Sequence, residues 1–433
     1  MKSKIGVVCL ARKTFDFKAA EEIFKSKVEE LKKIDYVDFK IYDELVIDVE
    51  DLENVYENIK EIDGLIIISG TFHLGHLAIS LQKKYKVPIL LWAFNELPYD
   101  GGKIRLNSVC GLNLNASNLY KSGVDNFHYV IGEKVDEDWL KAINMKKAVS
   151  DSKLGILGNR AHGFFNLSVD ELNLFGNSGT VVDYYQLNEL YDLAKNADEK
   201  VYEEEISKVY DVSSISKEQL KKVSKLTYAL KKFLDEKKLA GVAIRCWPEF
   251  ARDYGISPCA AMSYLQAKGY ITGCEGDLEG TLSMIAAKAA SNKTPFLADL
   301  SQVDLEKDEA LLWHCGVAPA NLWDGKSNRS LDTYFAGGKG VTADFVLKEG
   351  EITILRIDSA RGKTRVFAEK GKAFEMEKLL KGTYAKVKFE KPVKDVLDRL
   401  ITNGIAHHVA MVYGDYYRTY KIFAKIMNWQ FLG

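Results

Sequence analysis

The sequence is short of most features that announce a function. It has no charge excess, since 60 Lys and Arg stand against 61 Asp and Glu, and so nothing in the total favours a nucleic-acid or membrane partner. No apolar run approaches the roughly 20 residues that span a bilayer. The opening M-K-S-K-I-G-V-V-C-L-A-R has an apolar run of strand length and no small-residue cleavage site, unlike a signal peptide; a cytoplasmic protein is expected. Six cysteines (Cys9, Cys110, Cys246, Cys259, Cys274, Cys315) form no C-x-x-C pair, which excludes a zinc ribbon and predicts reduced, mostly buried thiols. No G-x-G-x-x-G follows the first strand and no G-x-x-x-x-G-K-[ST] occurs, so no nucleotide cofactor is expected. The G-x-S-x-G elbow of serine hydrolases is missing. A cysteine nucleophile is disfavoured too, because Cys246 and Cys274 flank the acidic positions, and nearby carboxylates raise a thiol pKa. Internal repeats and low-complexity linkers are absent as well.

What remains is a folded chain of 433 residues, 47% apolar and 28% charged, too long for one hydrophobic core. Ile5–Leu10, Val37–Ile41, Gly64–Ser69 and Val87–Trp92 read as strands alternating with helical spacing, which indicates a parallel α/β domain over residues 1–150. The rhythm restarts at K-L-G-I-L-G, and Glu203–Lys238 reads as one long, charged helix with a solvated face. A second α/β domain is expected over 151–300. From Val341 short β runs with turn glycines follow one another, and a β-rich, small barrel-like domain is expected over 301–433. The fold class is therefore α/β: two Rossmann-like parallel domains and then a β-rich one.

The stretch Val242–Asp277 concentrates the chemistry. V-A-I-R-C-W-P-E-F and G-Y-I-T-G-C-E-G-D are two strand-like runs that end in Glu249 and in Glu275 with Asp277. Any one of these acids alone could be a helix cap. Three at neighbouring strand ends would repel unless a cation neutralises them, and hard oxygen ligands favour Mn²⁺ or Mg²⁺ over zinc. His407 and His408 sit in a turn-strand context where at most one would face the crevice. An imidazole added to carboxylates gives a mixed site with open positions. His314, in W-H-C-G, reads equally as a core histidine or a substrate contact. Arg12, His73, Arg160 and His162 lie just past strand ends, where open α/β sheets bind ligands. Trp247 could pack under the site or offer a ring face to a sugar.

C-W-P-E-F, C-E-G-D-L-E-G-T-L-S-M and the late A-H-H together resemble the L-fucose isomerase and L-arabinose isomerase superfamily of metal-dependent aldose–ketose isomerases. The resemblance spans the domain order across most of the chain. It implies metal ligation by Glu249, Asp277 and His408, with Glu249 and Asp277 also acting as the acid–base pair. It further implies Mn²⁺ (Mg²⁺ or Co²⁺ as substitutes), a small sugar substrate and a homo-oligomer, whether trimer, tetramer or hexamer. Substrate contacts are expected from Arg12, His73, Arg160, Trp247, His314 and His407. Glu275 falls to a supporting role. The chain is shorter than typical fucose isomerases, so the reaction type carries over more safely than the sugar.

The expected reaction is aldose–ketose isomerisation of an open-chain sugar through a cis-enediol(ate), within carbohydrate metabolism. Two alternatives stay open: a sugar-binding or regulatory protein without turnover, and an epimerase or lyase using the same metal site. Candidate sugars run from L-fucose, D-arabinose and L-arabinose to hexoses with an anionic C6 substituent, for which Arg12, Arg160 or Arg245 offers a partner.

Overall fold

The computed structural model describes residues 2–198 and 200–433. It divides into two compact units, Met1–Lys147 with Lys425–Asn428, and Ala148–Ala424 with Trp429–Gly433.

The first unit holds β1 (Ser3–Leu10), β2 (Val37–Val46), β3 (Gly64–Ser69), β4 (Ile89–Ala93) and β5 (Phe127–Ile131). They pair in the order β2-β1-β3-β4-β5, every contact parallel. The uninterrupted G-L-I-I-I-S of β3 is buried along its whole length, as a parallel strand covered on both faces must be.

The second unit begins with β6 (Lys153–Leu157), β7 (Val181–Tyr185), β8 (Gly241–Ile244) and β9 (Thr272–Gly273), an all-parallel sheet ordered β7-β6-β8-β9. The charged passage read as one helix is two, Glu203–Val209 and Lys217–Lys237. The break falls in D-V-S-S-I-S, where Ser216 caps the second helix. Its hydroxyl accepts the Gln219 N–H while the Gln219 side chain accepts the Ser216 N–H, a reciprocal arrangement that satisfies two otherwise orphaned donors. The charges of that helix face outward, and Val223, Leu226, Leu230 and Phe233 are buried on its other side.

The rest of the unit is β10 (Phe296–Asp304), β11 (Glu309–His314), β12 (Ser330–Asp332), β13 (Thr342–Val346), β14 (Gly350–Ala360), β15 (Lys363–Phe374), β16 (Thr383–Phe389), β17 (His408–Tyr413) and β18 (Gln430–Phe431). They run in the order β12-β13-β16-β11-β10-β17-β14-β15-β18, and a further β15–β16 pairing closes the strands from β16 to β15 into a barrel. All contacts are antiparallel except β13–β16 and β15–β18. Closure removes the exposed edges of these long strands. The α/β architecture, with two parallel sheets followed by a largely antiparallel barrel-like sheet, is the one the sequence predicts.

The helix Leu278–Ser291 packs on β8 and β9 on one side and on β14 and β17 on the other. It is buried almost all round, the pattern of a helix enclosed within a core. Its small residues let backbones approach: a Cβ on Gly280 would collide with the Asp277 carboxylate and the Arg356 guanidinium. The acid-bearing ends of β8 and β9 are thereby held against the barrel.

Candidate active site

His408 is the first residue of β17, wholly buried, and is paired across the strands with Asp299 of β10. Its Nδ1 lies 2.8 Å from Asp277 Oδ2, so that nitrogen carries a proton and donates it. Its Nε2 faces Glu275 Oε2 at 3.4 Å and Asp299 Oδ1 at 3.3 Å, yet is buried without a hydrogen-bond partner. Burial works against charge on this ring. The bond to Asp277 and the nearby Glu275 and Asp299 outweigh it and raise the pKa to about 10. A buried nitrogen that holds a second proton this firmly marks a surplus of negative charge around it.

Asp277 is the N-cap of the Leu278–Ser291 helix and accepts the Gly280 N–H at 2.8 Å. Both terminal nitrogens of the buried Arg356 also donate to it. Burial acts to raise its pKa, but the Arg356 charge and the His408 bond hold it well below the carboxylate range. No part of its side chain is exposed. Capping and ion pairing thus occupy this acid together.

Glu275 has a left-handed backbone (φ 62°), which costs a non-glycine residue about 1 kcal/mol. That turn aims its carboxylate between two imidazoles, with Oε2 3.6 Å from His407 Nε2 and Oε1 accepting the Trp247 indole N–H at 3.4 Å. Burial again opposes ionisation, and the bonds to His407 and His408 hold the pKa below its ordinary value. His407 precedes β17 and escapes strand alternation, so both rings of the pair reach Glu275, where sequence reasoning allowed one.

His314 ends β11 with its ring stacked on His408, centroids 5.4 Å apart. Its Nδ1 accepts the Cys315 N–H at 2.9 Å, which leaves the proton on Nε2, buried and without a partner. Burial lowers its pKa, so the ring stays neutral. The two buried rings therefore differ in charge: His408 holds a second proton on Nε2, whereas His314 stays neutral and offers its Nε2–H as a donor. Donor atoms of Asp299, His314 and His408 lie within 4.8 Å of one another, as do those of Glu275, His407 and His408.

The segment after β6 packs against these groups. Phe164 packs edge-on against Trp247 and His407, the Asn166 amide is 3.3 Å from His407 Nδ1, and the Ala161 N–H donates to the Glu275 carbonyl at 2.9 Å. Arg160 donates to Ser168 Oγ at 2.7 Å and lies over the Phe165 ring. Its partners are a hydroxyl, a carbonyl and a ring, none of them an acid.

Of the residues singled out from the sequence, Asp277, His408, His407, His314 and Trp247 converge. Glu249 is paired with Arg245 at 2.6 Å and belongs to none of the three-donor groups among the described residues. Arg12 and His73 belong to the first unit. The Arg12 N–H donates to Thr71 Oγ1. His73 is buried, with Nδ1 2.9 Å from the Thr71 carbonyl and Nε2 against the Asn115 amide, and burial lowers its pKa to about 4.

Residues 6–146 match the family described as fucose/sulfoquinovose isomerase, N-terminal domain, and residues 313–433 match L-fucose isomerase, C-terminal domain. The sulfoquinovose isomerases of Priestia aryabhattai and Priestia megaterium are each 30% identical to this chain over 421 residues, covering 94% of either partner. The chain belongs to the fucose/sulfoquinovose isomerase family. Another relative, the sulfoquinovose isomerase of Alkalicoccus urumqiensis, is 26% identical and covers 97% of this chain and 96% of its own. This isomerase is thus a sugar aldose–ketose isomerase, an intramolecular oxidoreductase of carbohydrate metabolism. Among its described residues no helix is long and apolar enough to cross a membrane.

One residue of the isomerase's cluster escaped sequence reasoning. Asp299 lies inside β10, in F-L-A-D-L, away from the strand ends where open α/β sheets gather their ligands. The available signal was a single acid interrupting a buried apolar run, which needs a partner to be tolerated.

Proposed function

We propose that this chain is a divalent-metal-dependent sulfoquinovose isomerase that converts an open-chain aldose bearing a C6 sulfonate into its ketose, with Mn²⁺ as the resident ion. The observation that carries the reading is His408 Nε2, buried without a partner and facing Glu275 and Asp299, where a cation can take the place of its proton. A nitrogen and two carboxylates with excess negative charge fit a hard divalent cation. The relatives that share 94% of their length with this chain are named for the sulfonated sugar.

In this reading Glu275 and Asp299, each from one of the two donor groups that share His408, close on an ion at His408 Nε2, and Asp277 stands behind His408, fixing its orientation. Glu275 moves into the ligand set, and Asp277 takes the supporting role that the sequence gave to Glu275. The ion, when bound, supplies Lewis-acid polarisation of the sugar carbonyl. Glu275 and Asp299 keep partly exposed side chains, 16% and 24%, and a base must touch its substrate. They therefore form the acid–base pair, one taking the proton from C2 and the other moving the hydroxyl proton. His314 Nε2–H donates to the oxygen on which negative charge develops in the enediolate. Trp247, Phe164 and His407 line the opening and exclude water. Arg160, with no acid of its own, serves the sulfonate.

The test is to incubate the chain with sulfoquinovose and Mn²⁺ in deuterated water and follow the products by NMR. Ketose labelled at C1 is expected. Deuterium at C2 of a recovered epimeric aldose would make the enzyme an epimerase, and turnover unchanged after exhaustive chelation would end the metal assignment.

A further inference from the structure

Four of the six cysteines come together behind the isomerase cluster. Cys246 and Cys274 follow β8 and β9, Cys259 opens the helix Cys259–Ala267, and Cys315 follows β11. All four are buried and unbridged. Cys246 Sγ is 3.1 Å from Cys274 Sγ, and Cys259 Sγ is 3.8 Å from Cys315 Sγ. The two pairs meet through Cys274 and Cys315, whose sulfurs lie, with a His314 ring nitrogen, within 4.8 Å of one another. His314 Nδ1 is 3.2 Å from Cys315 Sγ. Scattered buried cysteines act as small apolar side chains and have no reason to gather. Thiolates set tetrahedrally at about 2.3 Å from zinc stand about 3.8 Å apart, the spacing that Cys259 and Cys315 already have, while Cys246 and Cys274, at 3.1 Å, would have to part on binding.

The two neighbouring donor sets differ in hardness. Carboxylates and one imidazole suit Mn²⁺ or Mg²⁺, whereas thiols select soft ions such as Zn²⁺ or Cu⁺. We propose that Cys246, Cys259, Cys274 and Cys315 form a second cation site, selective for a soft thiophilic ion of the Zn²⁺ type and separate from the Glu275–Asp299–His408 set. Each thiol that coordinates releases its proton to solvent, with no change of oxidation state. The bound ion ties together the ends of β8, β9 and β11 and the start of the Cys259–Ala267 helix. Trp247, Glu275 and His314 each directly follow or precede one of these sulfurs in the chain, so the site braces residues that face the sugar. This inference does not depend on the identity of the sugar.

The full chain, reduced and stripped of metal under anaerobic conditions, is titrated with Co²⁺. A thiolate-to-cobalt charge-transfer band that saturates at one equivalent is expected, retained in Glu275→Gln, which damages only the hard site, and lost in Cys315→Ser and Cys259→Ser. No band in the wild-type chain, or a band unchanged in both serine variants, overturns the proposal. Should the serine variants fail to fold, zinc-edge X-ray absorption of the zinc-loaded wild-type chain decides. Sulfur neighbours at about 2.3 Å support the site, and nitrogen and oxygen neighbours alone overturn it.

Discussion

Asp277 acts on the site only through His408. Asp277→Asn keeps the shape but removes the charge that balances Arg356 and the imidazole. Loss of such an outer partner costs about 10- to 100-fold in metal affinity, and Mn²⁺ titration by calorimetry should show it with little change in the far-ultraviolet spectrum. An unchanged affinity would remove Asp277 from the supporting role. Arg160 makes a different kind of prediction, because it is expected to touch a part of the substrate that does not react. Arg160→Ala should raise KM for the sulfonated sugar about tenfold or more, the worth of a charge-assisted hydrogen bond. The same variant should leave the kinetics of an unsulfonated aldose nearly unaltered, and equal losses on both sugars would refute the assignment.

At the scale of elements, the Leu278–Ser291 helix is the part most sensitive to a small change. Gly280→Ala places a methyl group against the Asp277 carboxylate and Arg356 Nη1. Overpacking of this kind costs about 1–3 kcal/mol, and here it should also weaken metal binding, a coupling that an alanine elsewhere on the helix would not show. The elements themselves were largely legible in the sequence: G-L-I-I-I-S could only be a covered strand, and the closely spaced β runs after Val341 are the barrel strands β14 to β16. The site was legible in part. Glu275, Asp277 and His408 stood out because they follow apolar runs or sit side by side. The order among the acids did not, since it is decided by Arg356, a residue 79 positions from Asp277 that binds it from β14. Asp299 was hidden because only the β10–β17 register sets it opposite His408, and register between strands so far apart in the chain has no local signature.

At the scale of the molecule, the two units have separate cores and should respond to separate handles. The proposed ligands all belong to the second unit, so saturating Mn²⁺ should stabilise that unit, by about 2.7 kcal/mol at a hundredfold excess over Kd. The first unit should respond to acid. Burial holds His73 neutral, with its pKa lowered from 6.5 to about 4, whereas the unfolded chain takes up that proton below 6.5. The associated stability is complete above pH 6.5 and is lost as pH falls towards 4, on the order of 3 kcal/mol for one such group. Calorimetry across that range should show the first-unit transition falling, and His73→Gln should flatten the slope. A slope identical in the variant would exclude His73 as its source.

His408 stands at the head of β17, a strand hydrogen-bonded between β10 and β14. Two identical imidazoles stand side by side in the chain, and the ladder alone decides which is enclosed. A one-residue slip would exchange inward and outward faces along the whole strand. One residue inserted in the N-G-I-A turn that feeds the strand could therefore bring His407 to the place of His408, preserving the ligand type while detaching it from Asp277. The adjacent histidine is a built-in spare whose use would cost the enzyme its orienting carboxylate.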